Sequence, residues 1–379
     1  MRNSLAVCLN LALSLASLSG WAGEPVGVRL PLFNGQNLDG WHVTGCQAAV
    51  ESGAIVLQEG NGLVRTDHTY RDFILELSFK ARRTENWDSG IYIRANLPDE
   101  GKPWPAKYQI NLKQGDEGNV GPLPKARSKG LVKPGEWNRF KVTIIGNTAK
   151  LEINGQSAWE ADGLEQTQGY IGLQCEAPGG GQFEFKDLYV TELGYRPLFD
   201  GKSLDGWDGA GQDAAACWKV EDGLLMCTGE KGPWLRSREQ FANFDLRLDY
   251  KLKPGGNSGV YVRVPEDGNH HGEGSGVEIQ ILDDKAEKYK ELKGYQYTGG
   301  VYDIAAAKEH VGRDAGQWNS LQIEVTGTHY VITHNGVKIV DADVAEFSDL
   351  QKRRLEGFLG IQNHSEEVWY KNVRIAPAK

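Results

Sequence analysis

A chain of 379 residues is long for one hydrophobic core and predicts about two domains, at roughly 100–200 residues each. Its 40% hydrophobic and 25% charged residues are those of a globular protein rather than a disordered one, and 48 glycines with 11 tryptophans favour an all-β chain rich in turns. The net charge of −9 comes without any cluster of Lys and Arg, which argues against nucleic acid and anionic membranes as partners.

The first residues read as a leader rather than as part of the fold. Arg2 precedes an apolar run from Leu5 to Leu18, and small residues surround a cut after Ala22. Residues 1–22 are therefore expected to be a secretory signal peptide, too short to span a membrane, which places the mature chain in a secreted or periplasmic setting. Cys8 has the wrong context for lipid attachment, and no other segment approaches the length of a membrane span.

From residue 31 onward one pattern runs twice. PLFNGQNLDGW (31–41) returns as PLFDGKSLDGW (197–207), and WDSGIYIR (87–94) returns as GNSGVYVR (256–263). PGEWNRFKVTI (134–144) matches AGQWNSLQIEV (315–325), YIGLQCE (170–176) matches FLGIQNH (358–364), and FKDLYV (185–190) matches YKNVRI (370–375). Markers kept in this order imply a tandem duplication, 30–194 and 195–379, joined almost without a linker at Leu193-Gly194-Tyr195. Each half reads as about a dozen short strands punctuated by Gly, Pro and Asn-Gly, which predicts two β-sandwiches in series. Asn335-Gly336, like Asn154-Gly155, has the chemistry of a two-residue hairpin turn. Only 287–293 and 303–310 have room for short helical turns.

Cys46, Cys175, Cys217 and Cys227 remain after the leader. In CWKVEDGLLMC a three-residue loop at Glu221-Asp222-Gly223 would set Cys217 opposite Cys227, favouring a cross-strand disulfide in an oxidising compartment. Cys46 with Cys175 is the remaining pair, and buried free thiols are the alternative. No CxxC spacing suggests zinc.

Side chains two apart share a strand face. In the second repeat this puts Tyr261 and Arg263 opposite Val260, Val262 and Val264, and sets Glu278 and Gln280 opposite Val277, Ile279 and Ile281. Gln362 and His364 follow the inward Leu359 and Ile361. A merely solvated face would show more Lys, Thr and Ser. Arg, Glu, Gln and His on adjacent strands suit a polyol, although Arg263 with Glu278 could be a surface ion pair and His364 a structural histidine. The duplicate offers an internal comparison: Arg94 matches Arg263, Gln109 matches Glu278, Asn111 matches Gln280, and Glu176 matches His364. Only the second repeat has a carboxylate at the central position, so chemistry is expected there.

The loop NHHGEG (269–274) offers His270, His271 and Glu273 either as metal ligands or as a mobile rim, and the rim fits better because adjacent histidines point apart in an extended chain. Asp283-Asp284 with Asp303 lacks EF-hand spacing. Trp234 and Tyr302 could stack on a sugar ring or lie in the core. No metal or other cofactor is required by these motifs, although a divalent ion is left open.

LFDGKSLDGW, WKVEDGLL, NSGVYVR, GVEIQILDD, TGGVYD, GQWN and GIQNH ahead of YKNVRI resemble the 3-keto-disaccharide hydrolase domain family, over the whole second repeat and in eroded form over the first. The resemblance implies tandem concanavalin A-like jelly rolls and a carbohydrate substrate, a glycoside oxidised at C3. It implies one base, Glu278 or His364, with Arg263 and Gln280 stabilising an oxyanion. Tyr261, Tyr302, Asp303, Gln362 and Trp234 would contact substrate. A non-catalytic glycan-binding protein is the competing reading.

Overall fold

A computed structural model describes residues 26–378, and the counts below refer to these; the leader expected at 1–22 lies outside them. The fold is all-β, two jelly-roll sandwiches in tandem, each with its own core. The second repeat divides into an eight-stranded and a five-stranded sheet, whereas the first forms one eleven-stranded sheet. The difference lies in one segment. In the first repeat a single 17-residue strand, Ala54–Tyr70, runs through both layers and pairs with Gly169–Ala177 and Phe183–Leu193. Its counterpart is broken into Leu224–Thr228 and Leu235–Phe241, because Gly229 adopts φ +81° and Pro233 has no N–H for a ladder.

The hairpins follow turn chemistry. Asn335 (φ +47°) and Gly336 (φ +78°) close a two-residue turn with His334 opposite Val337, and Asn154-Gly155 does the same in the first repeat. Short 3-10 turns occur at Glu287–Tyr289 and Gly294–Gln296. The segment 303–310 holds no helix; it forms a tight turn bridging Val301 to Ala305.

The cysteine pairing expected across the Glu221–Gly223 turn is not present. Asp222 (φ +51°) and Gly223 (φ +78°) form a two-residue turn, so Trp218 rather than Cys217 faces Cys227. All four described cysteines are free thiols. Cys217 donates to the Pro233 carbonyl and Cys227 to the Asn363 side chain, while Cys175 donates to the Gly60 carbonyl and makes no disulfide with Cys46.

The repeats pack through buried charge. Arg247 donates to Glu192 at 2.6 Å and to the Thr69 carbonyl at 3.0 Å, and Arg374 donates to the other Glu192 oxygen. Burial alone would raise the Glu192 carboxyl, but Arg374 and Arg247 outweigh it and hold it down at about 2. Arg313 donates to both oxygens of Asp67, at 2.8 and 2.9 Å. The Asn335-Gly336 tip docks on the same carboxylate's strand, where a Cβ on Gly336 would lie 2.4 Å from the Asp67 carbonyl.

Candidate functional site

The five-stranded sheet places Asn257–Val264 beside Val277–Leu282, with Gly259 opposite Gln280 and Tyr261 opposite Glu278. Val277, Ile279 and Ile281 enter the core as the alternation requires, leaving Glu278 and Gln280 on the other face. That face is not solvated. Glu278 is 2% exposed and Gln280 4%, because the chain from 285 to 302 and the 265–276 loop fold over them. The TGGVYD segment adds itself to the strand edge: Gln280 N–H donates to the Gly300 carbonyl and Tyr302 N–H to the Glu278 carbonyl, which brings the Tyr302 ring over the site.

Glycine makes the floor possible. A Cβ on Gly259 would lie 2.0 Å from Glu278 Oε1, so the carboxylate rests in the space that a side chain would fill. Above it is a cavity of about 240 Å³ lined by Asn257, His270, His271, Glu278, Gln280, Tyr289, Leu292, Gln296, Tyr302, Gln362 and His364, with Leu282 beneath.

Glu278 Oε2 lies 3.2 Å from His270 Nε2, and His270 Nδ1 lies 3.2 Å from the Gly268 carbonyl. An ionised carboxylate and a carbonyl only accept, so an imidazolium satisfies both contacts. Burial opposes that charge, yet hydrogen bonding and attraction to Glu278 raise the His270 pKa overall. The ring is stacked on Tyr261, centroids 4.7 Å apart. Glu278 Oε1 is buried without a hydrogen-bond partner, as is Gln362 Oε1. Gln280 donates to Asn257 Oδ1 at 2.8 Å, and Gln296 donates to the Tyr302 hydroxyl at 2.8 Å. His271 Nδ1 pairs with Asp303 Oδ2 at 2.9 Å, fixing the rim.

The expected residues therefore separate. Glu278, Gln280, Tyr302, Gln362 and His364 meet at one cavity, His364 at its exposed mouth. Tyr261 and Trp234 lie behind it, with ring centroids 5.4 Å apart, Tyr261 buttressing His270. Asp303 stands at the rim as the partner of His271.

Arg263 does not belong with them, and its expected orientation is corrected. A bulge between Tyr261 and Val264, with Arg263 at φ +54°, breaks the alternation and turns Val264 onto the face of Tyr261. The Arg263 guanidinium is fully buried and donates to the carbonyls of Ala242 and Gly327 and to Asn243 Oδ1. Arg94 does the same in the first repeat, at φ +45°, binding the carbonyls of Arg71, Gly146 and Gln166 and the Asp72 carboxylate. Both repeats keep this arginine because it ties loops together.

His270 is the residue that strand reasoning missed. Position 257 aligns with 88 and position 280 with 111 at a constant offset of 169, which sets Gly101 against His270 and Lys102 against His271. An acid–base residue where the duplicate has glycine was the available signal. Among the described residues no group of three or more His, Cys, Asp or Glu is arranged to hold a metal.

The profile of the 3-keto-alpha-glucoside-1,2-lyase-like domain matches this sequence twice, over residues 30–191 and 194–376. A 3-keto-disaccharide hydrolase of Bacteroides thetaiotaomicron is 26% identical over 231 residues, covering 50% of this chain and 80% of the relative. Two Parabacteroides distasonis structures, described as candidate glycosyl hydrolases, are 27% and 25% identical, with TM-scores of 0.43. They cover 48% and 49% of this chain and 98% and 94% of their own. Among the described residues no helix is long and apolar enough to cross a membrane.

Proposed function

The chain belongs, through both of its halves, to the 3-keto-alpha-glucoside-1,2-lyase-like domain family, and on that premise we propose that it is a secreted enzyme cleaving the glycosidic bond of sugars oxidised at C3, with the chemistry in the second repeat. The observation that carries this reading is the lone carboxylate. Glu278 is the one carboxylate among the residues lining its cavity, and one of its oxygens has no partner. Ordinary glycosidases flank the bond with two carboxyl groups, about 5–9.5 Å apart. A substrate with a ketone at C3 needs only one base, because the ketone acidifies the proton at C2.

Glu278 Oε1 takes that proton, and the C–H electron pair forms a C2=C3 double bond as the ketone oxygen becomes an enolate. The enolate returns to the ketone while the C1–O bond breaks with its electrons on the departing oxygen. That alkoxide takes the proton that Glu278 removed, restoring the carboxylate and leaving a free alcohol and a 1,2-unsaturated 3-ketone. Water adding across C1 and C2 completes hydrolysis. His270 holds the carboxylate in place, and the amides of Gln280 and Gln362 with the Tyr302 hydroxyl are the neutral groups available to the enolate and the sugar hydroxyls. His364 is the alternative base. Secretion rests on the apolar N-terminal run after Arg2.

Purified protein is mixed with a 3-keto-disaccharide and with the matching ordinary disaccharide, and free sugars are followed by mass spectrometry. Cleavage of the keto form alone, lost in Glu278→Gln, is expected. Cleavage of neither sinks the enzyme reading in favour of glycan binding, and full turnover by Glu278→Gln moves the base to His364.

A further inference from the structure

The first repeat carries the same floor with an amide in place of the central carboxylate and no imidazole beside it. Gln109 occupies the position of Glu278, Asn111 that of Gln280, Gly101 that of His270 and Lys102 that of His271, all at the offset of 169. The glycine that admits the central side chain is kept: a Cβ on Gly90 would lie 2.1 Å from Gln109 Nε2. The floor opens into a cavity of about 350 Å³, larger than that of the second repeat, lined in part by Tyr92, Pro105, Tyr108, Asn119 and Pro122.

The amide at its centre is oriented. Glu176 only accepts when ionised, so Gln174 donates to it, at 3.2 Å, and in turn accepts from Gln109 Nε2. Gln109 Oε1 is left as an acceptor at the cavity floor beside the Asn111 amide. The charged groups of the lining, Asp116 and Arg127, are hydrogen-bonded within the chain at its exposed rim. Arg127 donates to the carbonyls of Val120, Leu123 and Ala126, Asp116 accepts from Asn119, and Asp88 lies 3.5 Å from Lys113. A site with amides below and Tyr and Pro surfaces at its sides suits a neutral hydroxyl-bearing ring, and an amide cannot take a proton from carbon.

We infer that the first repeat is a second carbohydrate site, built around Gln109 and Asn111, that binds a neutral sugar unit without cleaving it. The inference rests on the carbohydrate reading of the second repeat but not on its catalysis. One chain would then hold a saccharide at the first repeat while the second acts.

The test is isothermal titration of the full chain carrying Glu278→Gln, to stop turnover, with a 3-keto-disaccharide and with its unoxidised counterpart. Two binding events per chain are expected for at least one of these sugars, one of them weakened at least tenfold by Gln109→Leu and by Asn111→Leu. A stoichiometry of one with both sugars, in the chain whose first repeat is intact, overturns the inference without recourse to any variant. So do two events that neither substitution weakens. Absence of cleavage by the wild-type chain would remove the catalytic reading and leave a Gln109-dependent binding event standing.

Discussion

Replacing Gly259 with alanine should disable the site from beneath while sparing the fold. The added Cβ would lie 2.0 Å from Glu278 Oε1, 2.8 Å from Cδ and 2.9 Å from Cγ, so the carboxylate must swing away rather than adjust at its tip. The cavity above Glu278 is the space into which it is pushed, and its 3.2 Å contact with His270 is lost with the displacement. A positioned base contributes about 10²–10⁴-fold to a rate, so kcat on a 3-keto-disaccharide should fall by about that factor. Gly259 is not among the residues at positive φ, so alanine adds no backbone strain, and the overpacking should cost about 1–3 kcal/mol. The assay is kcat and KM by mass spectrometry alongside a thermal melt. Wild-type kcat in a variant whose crystal structure shows the carboxylate displaced would refute Glu278 as the base.

Other substitutions separate structural from chemical roles. Arg263→Met should remove the buried guanidinium that ties the Ala242 and Gly327 carbonyls and Asn243 together, at about 1–3 kcal/mol, lowering the Tm by roughly 2–12 °C while the folded fraction keeps kcat. A variant of unchanged Tm with kcat down a hundredfold would return Arg263 to the chemistry. His270→Gln should be pH-dependent. A histidine with a raised folded pKa contributes stability fully below its unfolded value of about 6.5 and loses it as pH rises through the folded value. The Tm deficit of His270→Gln should thus be greatest near pH 5 and shrink as pH rises past the folded pKa; a deficit that grows with pH contradicts a charged His270.

What could be read without coordinates was whatever depends on short-range pattern. The duplication, the all-β class, the Asn-Gly hairpins and the polar face of Glu278 and Gln280 follow from period-two alternation and turn residues, which local sterics enforce. Each failure comes from a register that is wrong by one residue. The bulge at Arg263 inserts a residue into the ladder, so alternation carried one step too far assigned a core arginine to the site. A two-residue turn at Asp222-Gly223, where three residues were counted, shifted the cysteine register by one. Both errors are invisible in composition, because a bulge and a turn differ from their alternatives only in backbone angles.

Sequence alone therefore determined that two homologous sandwiches exist and that only the second has a carboxylate at the centre of its polar face. Tertiary structure decided which groups surround that carboxylate. His270 reaches Glu278 from a loop eight residues upstream, Tyr302 arrives by adding its backbone to the edge of the Glu278 strand, and Glu192 docks the repeats between Arg247 and Arg374. These contacts join segments whose approach is set by loop closure and burial, and neither leaves a periodic trace in the chain.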